Sequence, residues 1–115
     1  MHLGLIEGTI MCRERELCYI RVTDNSVYFR PINDPLDIIP YEFQNGYSEQ
    51  SVLEWVRWRL PDDNRQFLAE DCAKRGIRVC GEDILKISHG RVIDDSCWLK
   101  QKDGPQTYQE LLQCD

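Results

Sequence analysis

The stretch Ile84–Lys100, ILKISHGRVIDDSCWLK, decides the fold. Ile84, Leu85 and Ile87 fall on adjacent helical positions. His89-Gly90 then places a cation-capable side chain at the negative end of that helix, followed by the residue that best tolerates a left-handed closing turn. The helix is expected to end at His89. Arg91, Asp94, Asp95 and Ser96 crowd into a corner where short polar side chains bond their own backbone. Cys97, Trp98 and Leu99 resume an apolar run too short for another helix. A helix, a polar corner and a buried strand in so little chain mean that α and β structure pack together.

Towards the N-terminus, the period from Leu3 to Arg30 is closer to two than to 3.6, the signature of half-buried strands. Ile10 and Cys12 share one parity, Cys18, Ile20 and Val22 another, and Val27 with Phe29 makes a third short run. The charged link Arg13-Glu14-Arg15-Glu16 and the turn Thr23-Asp24-Asn25-Ser26 separate the runs at hairpin spacing, which makes an antiparallel meander. Its wet face carries Glu16, Tyr19, Arg21 and Arg30. Pro31-Ile-Asn-Asp-Pro35 breaks the last strand, and Leu36, Ile38 and Ile39 before Pro40 are expected to plug the sheet edge.

The clearest helix is SEQSVLEWVRWRL, with Ser48 as N-cap, Glu49 at the positive end of the dipole and a stop enforced by Pro61. Val52, Leu53, Trp55, Val56 and Leu60 form its apolar arc, with Arg59 inside it. Trp58 falls about 60° beyond Trp55 at helical spacing, outside that arc. It is either covered by another element or left exposed as a binding anchor. Asp63-Asn-Arg-Gln66 has the pattern of a capping box for a second helix, with Phe67, Leu68 and Cys72 inward and Lys74-Arg75-Gly76 at its end. Lys102-Asp-Gly-Pro105 is a turn, and Thr107-Tyr-Gln-Glu110 repeats the capping pattern before Leu111 and Leu112. The fold class is therefore α+β: an N-terminal antiparallel three-stranded meander packed against three to four short helices, as a single domain over 1–115.

The 115 residues carry a net charge of −6, which disfavours direct nucleic-acid binding, because that affinity comes from lysine and arginine displacing counterions. The same charge suits docking on a basic surface of another protein. Nothing in the sequence approaches a membrane span or a signal peptide, so the expected compartment is cytoplasmic. There the six cysteines are expected as reduced thiols. Their closest pairs, Cys12 with Cys18 and Cys72 with Cys80, are too widely spaced for a zinc motif, so neither metal nor cofactor is expected.

HGRVIDDSCWLK (His89 to Lys100) and the spacing of Trp55, Arg59 and Arg65 around Pro61 in WVRWRLPDDNR resemble small clostridial and phage-associated proteins that are similar to the N-terminal portion of HipA-type kinases. The resemblance runs roughly from Asp34 to Lys100, with Pro61 one residue early and Cys97 at a position where an aromatic residue is usual. It implies a strand meander followed by helices, and a segment that binds or regulates a partner. Kinase activity is not implied: the glycine-rich loop, catalytic Asp-Asn pair and metal-binding Asp that phosphoryl transfer needs have no counterpart in this chain.

Other chemistry is equally thin. His89 with Cys97 or Cys80 is the nearest approach to a Cys/His hydrolase, and Asp94-Asp95 has the look of a solvated turn rather than an acid/base pair. The expected function is thus non-enzymatic protein binding, with Trp58, Glu54, Asp62, Asp63, Asp94 and Asp95 as the partner-binding set. Trp55, Arg59, Arg65, Gly90 and Trp98 are expected to be structural, with Asp94 or Asp95 bonding Arg91, Arg59 or Arg65. The partner class is a basic, nucleic-acid-binding surface of a host or defence protein such as a CRISPR nuclease, occupied by a phage or mobile-element inhibitor of the anti-CRISPR kind. The alternative is a HipA-like, toxin–antitoxin-related regulatory module that binds a helical partner or forms a homodimer.

Overall fold

The computed structural model describes residues 1–34, 41–92 and 95–114. The expected plug at Leu36, Ile38 and Ile39, and the corner residue Asp94, lie outside the described residues. Alternation fixes the first part of the chain as a meander of β1 (Ile6–Cys12), β2 (Arg15–Val22) and β3 (Val27–Pro31). Ile6, Ile10, Cys18, Ile20 and Val22 are buried on its inner face. Arg21 faces Glu7 across one ladder and Tyr28 across the other, and Tyr19 faces Arg30, so these polar and aromatic side chains share the outer face. The Arg30 guanidinium lies 5.3 Å from the Tyr19 ring centroid.

The first hairpin is tighter than its charged link implied. Cys12 pairs with Arg15, so Arg13-Glu14 alone makes the turn, with Arg13 at φ 54. Ile10 faces Cys18 and Met11 faces Glu16, which leaves Leu17 as an extra residue in β2. This bulge points Leu17 and Cys18 both into the core.

The sheet has four strands rather than the three expected, in the order β3-β2-β1-β4. β4 (Cys97–Lys100) pairs antiparallel with the outer edge of β1, from Thr9↔Lys100 to Cys12↔Cys97. Gly8 permits the approach, since a Cβ there would stand 2.5 Å from the Lys100 carbonyl oxygen. β4 also divides the core. Cys97 and Leu99 join the main cluster, while Trp98 points to the opposite face with Met11 and Leu111. There the Trp98 indole N–H donates to the Arg13 carbonyl at 2.8 Å, and α4 (Tyr108–Leu112), capped by Thr107, covers it.

On the inner face lies α1 (Glu49–Trp58), closed at its start by reciprocal bonds between Ser48 and Ser51. Val52, Trp55 and Val56 are fully buried against the sheet, beside Phe43 from the short 3-10 turn Tyr41–Phe43. α2 (Leu68–Lys74) starts later than the capping pattern implied. Asp62 takes the Asn64 N–H on its carboxylate and the Arg65 N–H on its carbonyl, so a turn forms where the helix was expected. Phe67 then sits in the left-handed region at φ 65 and is 56% exposed, not inward. The helix ends as expected: the Gly76 and Ile77 N–H groups donate to the Ala73 and Cys72 carbonyls.

α3 (Gly81–Ser88) receives the N-terminal segment, with the Gly81 and Glu82 N–H groups donating to the carbonyls of His2 and Leu3. At its end His89 and Gly90 both take positive φ, and a Cβ on Gly90 would lie 3.2 Å from the Leu99 nitrogen. The reversal lets the Leu99 N–H donate to the His89 carbonyl at 2.8 Å, tying α3 to β4. No helix of the described residues is long and apolar enough to cross a membrane.

Two predictions follow from this packing. Gly8→Ala forces β4 off β1 and is expected to cost about 1–3 kcal/mol, read as a lower urea midpoint. The second concerns α3, where the Arg78 side chain and N–H hold the Asp83 carboxyl well below the usual carboxylate range. The Leu5 N–H, then Lys86, act likewise on Glu82. Folded values below unfolded ones favour the fold above the ordinary carboxylate range and withdraw that favour as pH falls through it. The urea midpoint is expected to drop between about pH 5 and pH 2, and Asp83→Asn to flatten the drop.

Candidate protein-docking corner

The last turn of α1 sends consecutive side chains to opposite environments. Trp55 is fully buried and Arg59 is 5% exposed, whereas Trp58 is 66% exposed. Trp58 therefore takes the exposed alternative among the described residues. Pro61 stops the chain and Asp62-Asp63 turns it beneath Trp58. Trp58, Arg57, Pro61, Asp62, Asp63 and Met1 line an open cleft of about 420 Å³. Asp63 pairs with the Met1 ammonium, and Glu54, one turn back from Trp58, is exposed and accepts from Gln50. Four of the six expected partner-binding residues thus lie on this corner: Trp58, Glu54, Asp62 and Asp63. Asp94 lies outside the described residues.

Asp95 is exposed and also reaches the interior. Its Oδ2 accepts from Arg59 Nη2 at 2.8 Å and its Oδ1 accepts the Cys97 N–H at 3.0 Å. The Arg59 side chain has no exposed surface, and its guanidinium carbon lies 4.2 Å from the Trp55 ring centroid. Arg59 Nε, Arg59 Nη1 and Trp55 Nε1 have no hydrogen-bond partner among the described residues. Arg65 does not join this network. It pairs with Asp71 at 3.1 Å, which the sequence reading missed although an arginine just before an acidic helix start was the available signal.

The His89 Nδ1 has no hydrogen-bond partner among the described residues, so no thiol is bonded to it. His89 lies against Gly104, and burial, then the nearby Arg91 charge, lowers the pKa of its imidazole. Cys97 faces into the core, where burial, then the Asp95 charge, pushes its thiol above the ordinary range. Burial likewise pushes Cys18 up to about 11. A protonated, enclosed thiol is a poor nucleophile. No group of three or more His, Cys, Asp or Glu among the described residues is placed to hold a metal ion.

A second cleft of about 400 Å³ lies between α2 and α3, with an apolar floor of Leu68, Ile77 and Ile84 and with Arg65 and Arg75 in its lining. Comparison with known proteins supplies no relative: no family model, curated protein or solved structure matches the chain.

The Arg59–Asp95 contact yields a stability test. Removing the carboxylate strands a buried cation, so Asp95→Ala is expected to cost about 3 kcal/mol. Arg59→Leu removes the cation itself and is expected to cost less. Urea midpoints check both, and parent-like values for the pair would contradict a required buried network.

Proposed function

We propose that the chain works by docking on another protein through the Trp58 corner, against a basic surface. The observation that carries this reading is a tryptophan 66% exposed at the end of a helix whose inner face, Val52, Trp55 and Val56, is fully buried. A large rigid side chain of this kind is what interfaces use as an anchor. Burying the exposed part of one tryptophan is worth about 3 kcal/mol in area alone, enough to dominate a small contact.

Charge selects the partner. Asp62 and Asp63 line the cleft with the tryptophan, Glu54 is exposed one turn back, Arg57 and the Met1 ammonium are the cations beside them, and the whole chain carries −6. A positively charged groove of the kind that tracks a nucleic-acid backbone, as in CRISPR nucleases, is the complementary class of surface. An acidic protein seated there would exclude the nucleic acid, which makes inhibition the natural outcome. The reading needs no chemistry from the chain itself.

Affinity capture from a bacterial lysate with the parent and Trp58→Ala, washed at low and high salt and read by mass spectrometry, tests it. The expected result is a basic nucleic-acid-binding protein retained at low salt, released at high salt, and retained at least ~30-fold less by Trp58→Ala, as for a hot-spot residue. A salt-resistant partner that is lost with Trp58→Ala would replace it with the regulatory reading of the HipA resemblance. Equal retention by parent and variant would remove Trp58 from the interface.

A further inference from the structure

We propose that Cys12 and Cys97 form a modification site: an intramolecular disulfide that an oxidised low-molecular-weight thiol, of the class of glutathione disulfide, installs across β1 and β4. The two residues are direct partners in the antiparallel register. Such partners alternate between pairs that exchange both backbone hydrogen bonds and pairs that exchange none. Only the second kind brings the Cα atoms to about 4.5 Å, with the side chains closest.

The hydrogen bonds assign Cys12 and Cys97 to the second kind. The Cys97 N–H turns away from β1 and donates to Asp95 Oδ1 at 3.0 Å, and the Leu99 N–H, on the same side, donates to the His89 carbonyl at 2.8 Å. The flanking Arg13 N–H donates to the Ser96 carbonyl at 3.1 Å, the bond of a hydrogen-bonded pair next in line. A non-hydrogen-bonded pair falls within the roughly 4.4–6.8 Å Cα spacing that a disulfide spans. Cys97 belongs to the core cluster and Cys12 packs against the same cluster, so both side chains lie on one face. After burial and the Asp95 charge, the Cys12 thiol is the next influence raising the Cys97 thiol, as expected of side chains that lie close together.

The exposures of the two residues order the steps. Cys97 is 2% exposed, whereas Cys12 is only half-buried, so Cys12 meets the reagent. Its thiolate attacks one sulfur of the external disulfide, forming a mixed disulfide and releasing one thiol. The Cys97 sulfur then attacks Cys12 Sγ and expels the second thiol, which takes up the proton Cys97 gives up. Two protein thiols are oxidised, one external disulfide is reduced to two thiols, and no other oxidant enters. Because the Cys97 thiol is held protonated, the second step is slow near neutral pH and accelerates as pH rises. The bond would pin the corner that carries Asp95 to the end of β1.

The test treats the parent protein with glutathione disulfide, alkylates remaining thiols and maps the peptides without reduction. The expected product is a Cys12–Cys97 cross-linked peptide, formed faster at about pH 9 than at pH 7, reversed by a dithiol, with a Tm raised by at least ~10 °C. Cys97→Ser is expected to stop at glutathione on Cys12, and Cys12→Ser to show no rise in Tm. Glutathione persisting on Cys12 of the parent, alkylation of both residues as free thiols, or cross-links between other cysteines would each overturn the proposal. Mapping of the parent decides the matter even where a variant fails to fold.

Discussion

The Arg59 guanidinium, held between the Trp55 ring and the Asp95 carboxylate, is the contact on which the arrangement of helix and sheet depends. It joins the end of α1 to the corner that launches β4, two pieces of chain far apart in sequence, at 2.8 Å. The same carboxylate accepts the Cys97 N–H, so one side chain both starts the strand and anchors the helix. Charge burial of this kind is weak as a source of stability, because desolvation consumes most of the Coulomb gain. Its value is directional: a leucine at position 59 would fill the space, but it would not specify which end of β4 meets α1.

The strands and the first helix were legible because their signals are local. Alternation placed the meander, and Ser48 and Pro61 bracketed α1 to within two residues. What could not be read depended on distant partners. The Leu17 bulge exists because Ile10 and Met11 dictate its spacing from the neighbouring strand. β4 was legible as a strand, but not as the partner of β1, since only Gly8, far upstream, makes room for it. Phe67 failed for a different reason: the Asp63–Gln66 pattern matched a helix start, and the Asp62 turn one residue earlier competed for the same backbone groups.

The exposure of Trp58 was legible by angle alone. Three residues of helix rotate Trp58 out of the stripe that buries Trp55, and Pro61 guarantees that the chain turns away just below it. Asp95 is at once a surface acid and an interior partner, because it is exposed while its carboxylate reaches Arg59. The sequence also raised its pairing with Arg59, and the geometry favours that pairing, since a buried guanidinium draws the carboxylate within reach. The opposition of Cys12 and Cys97 was beyond any sequence signal, because it is a consequence of the β1–β4 register.

The buried contact and the exposed tryptophan are best understood together. An exposed aromatic ring lowers its own free energy by folding back on nearby apolar surface, and at Trp58 the adjacent helix face is already taken by Trp55 with Arg59 stacked on it. Arg59 closes α1, with its N–H donating to the Val56 carbonyl at 3.1 Å, so its burial fixes the rotation of the final turn. With Trp55 and Arg59 buried on the inner side, Trp58 is left exposed. The exposed ring at Trp58 is thus the counterpart of the polar interior at Arg59: the side chain that follows it in the sequence is the one that takes the buried place.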